Sequence, residues 1–230
     1  MNNSVKLNTI IDENKVVKKR YSNKEENMNT ISHIIGAIFG FVVLIMCLIK
    51  SSKAFNTLGI ISSIIYGLSV ILLYSCSSYY HGLKNERLKR IFRVFDHCSI
   101  YVLIAGTYTP VALSGMLETH FTSAIIMLLL VWSLAIIAII LNAISIEKFK
   151  IVSMVLNLLI GWMAIFFLFD VINAISFAGF MYIISGGIIY TLGAVLYGIG
   201  RKKQYFHFIF HIFCLLGTLV HFIGIYQFCL

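Results

Sequence analysis

Apolar residues run through this chain in seven long blocks, at about 31–49, 57–80, 95–113, 122–141, 151–169, 177–199 and 207–228, with short polar connections between them. Each block is roughly 20 residues long, the length a helix needs to cross the ~30 Å hydrocarbon layer of a bilayer. The apolar positions do not alternate with polar ones, so a sheet or a lipid-facing barrel is a poor fit. The pattern predicts an all-α protein, a seven-transmembrane-helix bundle over residues 25–230. Residues 1–24 are polar and basic and are expected to form a flexible tail. The first block is too long for a signal-peptide core and no small-residue cleavage site follows it, so it is expected to remain as the first helix. The short connections leave no room for a second, soluble domain.

Composition points the same way. Of 230 residues, 60% are hydrophobic and only 12% charged, with a mean hydropathy of +0.93, outside the range of soluble domains. The basic residues then set an orientation. Sixteen of the eighteen lie in the tail or in the second, fourth and sixth connections; only Lys50 and Lys53 fall on the other side. The positive-inside rule places the N-terminus in the cytoplasm and, after seven crossings, the C-terminus outside. This asymmetry and anionic lipid headgroups account for the net charge of +9, which therefore does not point to nucleic acid. The five cysteines are scattered through apolar blocks without paired spacing and read as small core residues.

Against that background, polar residues inside the blocks stand out, because a titratable group in a membrane helix is costly. His207 and His211 are four residues apart, so their rings project from one helical face one turn apart, a spacing that lets two imidazoles hold one metal ion; an interhelical hydrogen-bonding role is the alternative. On the seven-crossing topology, His81 ends the second helix and Asp96 begins the third at the same cytoplasmic depth. His120 and Asp170 fall on the opposite side, and His221 lies ~15 Å along the helix from His211 by the helical rise. His221 is assigned a structural or substrate-lining role. Three neutral imidazoles, His81, His207 and His211, with one position open, make the ligand set of a catalytic zinc, which acidifies a bound water. Asp96 is placed to accept that water's proton. Ser77, one turn before His81, is placed to hydrogen-bond the water or a substrate oxygen, or else its own helix carbonyl.

Several motifs together carry a resemblance. They are Glu26-x-x-Asn29-x-x-Ser32-His33-x-x-Gly36, Ser77-x-x-x-His81, Phe95-Asp96-His97, the run Ala105 to Pro110, Gly161-Trp162, Gly186-Gly187, Tyr190-Thr191-x-Gly193, and His207-x-x-x-His211 with His221. In this order on seven helices, from about residue 25 to the end, the sequence resembles the hemolysin III family, the bacterial branch of the progestin and adipoQ receptor family, itself related to the alkaline ceramidases. The resemblance implies zinc held by His81, His207 and His211, with Ser77 and Asp96 nearby. Cys98 stands where a glycine or another small residue is usual.

Other features read structurally. Glu26, Asn29 and His33 share a face that continues into Gly36 and Gly40, a small-x-x-x-small surface suited to close helix contact. That face is read as a helix-start hydrogen-bond network, with Glu26 reaching the cytoplasmic site as the alternative. Pro110, the one proline, is expected to kink or widen the bundle. Three functions stay open: a zinc hydrolase of lipid amides or esters, with membrane lipids as its partners; a membrane sensor with structural zinc; and a cytolysin, as the family name implies. No helix carries a polar face along its full length, which argues against a water-filled pore.

Overall fold

The structure is a computed structural model that describes residues 22–200 and 203–230. Among the described residues there are seven α-helices and no strand: α1 (Asn23–Lys53), α2 (Thr57–Gly82), α3 (Glu86–Pro110), α4 (Phe121–Gly161), α5 (Met163–Phe166), α6 (Leu168–Ile199) and α7 (Phe206–Phe228). Six of them are long and apolar enough to cross a membrane. The expected tail lies outside the described residues except for its last three, and two of these, Asn23 and Lys24, already belong to α1.

Helices start earlier than the apolar pattern suggests, because capping side chains rather than hydropathy fix their ends. Ser22 Oγ accepts from the backbone N–H of Glu25 at 3.2 Å, which starts α1 eight residues before the apolar block. Asn85 Oδ1 accepts from the N–H groups of Arg87 and Leu88 and starts α3 nine residues early, in a stretch of charge. This extra length carries Glu26 to His81 and Lys89 to Glu26.

The expected connections at 142–150 and 170–176 are largely helical, each reduced to a corner at one serine. Ser145 is extended (φ −168°, ψ 109°), and its Oγ accepts from the N–H of Lys148. Ser176 has φ 68° and ψ 162°, a costly backbone state for a residue with a side chain, and its Oγ accepts from the N–H of Gly179. Each serine thus caps the helical segment that restarts after it. The block expected at 151–169 is itself divided, by α4 ending at Gly161 and the single turn of α5. There the Tyr108 hydroxyl donates to the carbonyl of Gly161 at 2.9 Å and accepts from the N–H of Ala164 at 3.1 Å. Broken backbone bonds at membrane depth need such replacements.

Pro110 does alter its helix, by changing the winding. The segment directly after it, Val111–Met116, is π-helical, so the winding loosens just past the residue that has no N–H to donate. Packing is tightest between α1 and α2, where α1 supplies the small surface read from the sequence. A Cβ on Gly36 would lie 2.4 Å from Tyr74 Cδ1, and one on Gly67 would lie 2.7 Å from Leu44 Cα, so these backbones can approach only as glycine. α7 packs against α6 and closes back onto α1, which brings the two ends of the described chain together around α2.

Candidate metal centre

His81 sits in the last turn of α2, and His207 and His211 occupy the first two turns of α7. Their ligand atoms all lie within 4.8 Å of one another. His207 Nε2 is 3.1 Å from His81 Nε2 and 3.1 Å from His211 Nε2. Facing lone pairs repel, so three nitrogens this close must share protons or a cation. A tetrahedral metal with nitrogen ligands at about 2.0–2.1 Å sets its ligands roughly 3.3 Å apart. The donor set and its spacing therefore fit one metal ion of the kind imidazole binds. His81 and His211 are buried, and His207 is partly open.

Which nitrogen is bare follows from what the other one touches. His81 Nδ1 lies 2.6 Å from Glu26 Oε2, and a carboxylate only accepts, so Nδ1 carries the proton and Nε2 keeps its lone pair. Lys89 Nζ donates to Glu26 Oε1, also at 2.6 Å, which holds that carboxylate from its other side. At His211 the logic runs through a serine. Ser32 Oγ spends its single proton on the carbonyl of Asn29, at 2.8 Å, so towards His211 Nδ1, 3.2 Å away, it accepts. His211 Nε2 is again the bare nitrogen, and both outer contacts prepare the tautomer a metal requires.

His33 is part of the cluster without being a further ligand. Its ring stacks on that of His211 with centroids 3.6 Å apart and planes 14° from parallel. Imidazole lone pairs lie in the ring plane, so two parallel stacked rings cannot point them at one ion. Among the described residues, neither ring nitrogen of His33 has a hydrogen-bond partner, and neither does the side-chain amide of Asn29, one turn earlier on the same face.

The remaining sequence candidates divide. Ser77 is buried on α2 one turn from His81, on the site's side of that helix. Asp96, partly buried on α3, lies within electrostatic range of Cys76 and Cys214, which flank the site on α2 and α7. Among the described residues, the metal-competent cluster consists of the three histidines, and Asp96 stands outside it. His221 has a structural place: its Nε2–H donates to the carbonyl of Ile183 at 2.9 Å, and its ring fills a notch at Gly186, where a Cβ would lie 2.1 Å from Cδ2. The reading of the Glu26 face as a helix-start network needs correcting, since the Glu26 carboxylate reaches His81 itself. Sequence reasoning missed Ser32 and Lys89. Ser32 shares a helix with Glu26 and a spacing argument reaches it weakly; Lys89 lay in a basic connection whose charge was already explained by orientation.

Comparison with known proteins agrees with this architecture. The chain is 35% identical over 207 residues to the hemolysin-3 homolog of Bacillus subtilis (strain 168), covering 90% of this chain and 95% of that one. It is 33% identical to hemolysin-3 of Bacillus cereus over 202 residues, 86% of this chain and 89% of the other. A more distant likeness, 26% over 224 residues, links 87% of the chain to 50% of the adiponectin receptor protein of Drosophila melanogaster. A family described as "Haemolysin-III related" matches residues 21–222, a span that holds Glu26, Ser32, Lys89 and all three clustered histidines. A helical bundle with six membrane-length helices, matched over the whole of its histidine site, is thus a multi-pass membrane protein that belongs to the haemolysin-III-related family.

Proposed function

We propose that this protein is a zinc-dependent hydrolase of lipid amide or ester bonds, with seven crossings and its metal site near the cytoplasmic face. The observation that carries the reading is the convergence of three Nε2 atoms, two of them on rings whose Nδ1 is already engaged, in a set of three nitrogens. Three imidazoles leave a tetrahedral ion one position for water or substrate. Zinc held there would supply Lewis acidity and lower the pKa of a bound water towards neutrality.

The chain's own residues supply the rest. Asp96 would accept the proton released as water adds to the carbonyl, and would return it to the departing amine or alcohol as the bond to carbon breaks. Ser77 Oγ would donate to the carbonyl oxygen, where negative charge develops. His81, His207 and His211 would hold the ion, with Glu26 and Ser32 fixing their ring orientation. The serine corners at Ser145 and Ser176 support the seven-crossing count, since each ends one helical segment and caps the next.

A sensor with structural zinc is the second reading, favoured by one observation: the centre and its outer contacts tie α1, α2, α3 and α7 together through Glu26, His81, Lys89 and His207. Asp96→Asn separates the two. It keeps the side chain's volume and removes its basicity, so metal content should stay within the ~10 to 100-fold affinity range of an outer-contact change. Turnover of lipid amides or esters by the purified protein should fall by roughly 10²-fold or more. Full turnover in the Asp96→Asn protein with normal zinc would refute the catalytic assignment.

A further inference from the structure

Beside His211, on the outward faces of α1 and α7, the surface folds into a groove of about 230 Å³ walled by Ile31, Ile35, Phe208, Ile212 and Leu215. Ile31 and Ile35 are 58% and 57% exposed, and both helices are long and apolar enough to cross a membrane, so hydrocarbon rather than water faces this groove. Its lining holds one hydroxyl side chain, Ser32, whose Oγ lies 3.2 Å from His211 Nδ1. An apolar groove on the outer side of this helix pair therefore has in its wall a residue that touches a candidate metal ligand.

Behind Ser32 lie polar groups that have no hydrogen-bond partner among the described residues. Asn29, fully buried, accepts from Ser32 through its backbone, but among the described residues its side-chain amide has no partner, and His33, 4% exposed and stacked on His211, has none at either nitrogen. Buried polar groups are nearly always hydrogen-bonded, because desolvating them without a partner is costly. A neutral imidazole and a carboxamide each present one donor side and one acceptor side.

We propose that the groove between α1 and α7 seats one acyl chain of an amphipathic membrane lipid, whose hydrogen-bonding head group turns past Ser32 towards Asn29 and His33. The chemistry of the walls selects the chain, and the donor–acceptor pair selects a head group that both gives and takes hydrogen bonds. As the path by which substrate reaches the metal centre, the groove rests on the hydrolase reading. As a lipid seat, it stands on the geometry alone.

The test reads occupancy rather than turnover. The full-length protein, in lipid nanodiscs, is irradiated with a fatty amide bearing a diazirine midway along its chain, and labelled positions are mapped by mass spectrometry. Label should concentrate on Ile31, Ile35, Ile212 and Leu215. Filling the groove with Ile35→Trp and Ile212→Trp should cut it about tenfold, since even one methylene in an apolar pocket is worth that much. Metal content and melting temperature of the filled variant, unchanged, show that it folds. Label spread evenly over membrane-exposed positions of α4 such as Ile126, Leu129 and Ile137, or label indifferent to the two tryptophans, would overturn the proposal. Absence of lipid turnover in the native protein would overturn the hydrolase reading while the labelling pattern still decides the groove.

Discussion

The two ends of the bundle contain the same kinds of side chain and use them differently. At the end away from the histidine cluster, polar groups pair with one another or with the backbone and mostly tidy up helix ends. Lys50 Nζ donates to the carbonyl of Tyr226, Asn56 Oδ1 caps α2 at Gly59 while its amide nitrogen donates to Ser114, and Ser123 Oγ donates to Asp170 Oδ2 at 2.5 Å, with His120 3.9 Å from the same carboxylate. At the histidine end, three Nε2 atoms from two helices converge on one space, and the outer nitrogens of His81 and His211 are engaged by α1. A histidine and a carboxylate together are thus no mark of a site. The mark is lone pairs left over after every proton has been assigned.

The sharpest way to break this contrast is to remove a nitrogen. Purified protein is expected to hold ~1 zinc per chain, and His81→Ala, His207→Ala or His211→Ala should each weaken metal binding by well over ~100-fold, beyond the range of outer contacts. His120→Ala, at the other end, and His221→Phe, whose ring only bonds a backbone carbonyl, should leave metal content unchanged. Metal analysis after competition with a chelator reads both; retention in His81→Ala with loss in His221→Phe would mean that the wrong cluster has been identified. Next in size is the carboxylate behind His81. Glu26→Gln keeps a hydrogen-bond acceptor but loses the charge, and zinc affinity should drop about 10 to 100-fold, with Lys89→Met producing a smaller drop in the same direction. An effect of Lys89→Met equal to that of His81→Ala would sink this ranking.

Smaller still is a change that touches the scaffold common to both ends. Gly36→Ala puts a methyl on the ring of Tyr74, whose hydroxyl is tied to Thr218 at 2.6 Å and cannot swing away freely. Destabilisation of about 1–3 kcal/mol is expected, read as a lower melting temperature with zinc stoichiometry intact. Last, the two ends should differ in sidedness. A cysteine reporter in the 84–93 segment should be shielded from an impermeant reagent in intact cells, and a tag after Leu230 should be accessible. The reverse pattern would turn the histidine end outward.

Much of this architecture was readable in the sequence because it rests on local rules. Apolar length gave the helices, and the four-residue spacing of His207 and His211 gave a shared face, with His81 joined to them by depth. What hydropathy could not give were helix starts, since Ser22 and Asn85 cap helices whose first turns are charged and look like connections. Those hidden turns hold Glu26 and Lys89, so the outer contacts of the site were lost with them. The corners at Ser145 and Ser176 escaped for a related reason: one residue with an unusual backbone turns the chain where a polar loop was expected. Ser32 needed the three-dimensional fact that α7 returns to α1.

That return has a consequence for biogenesis. Ribosomes deliver α1 well before α7, yet Glu25 accepts from the backbone N–H of Tyr205 at the start of α7 at 3.0 Å, and Glu26 finds His81 and Lys89 only after α2 and the first turn of α3 have been made. Until then α1 carries two carboxylates, a carboxamide and an imidazole on one uncovered face, in a helix otherwise suited to hydrocarbon. Nascent chains should therefore hold α1 loosely in or beside the translocation machinery and commit it to the bundle only when the last helix emerges. A chain cut short before Phe206 lacks both the covering helix and two of the three clustered histidines. It would present to quality-control proteases the very face that in the finished protein is buried beside the histidine cluster.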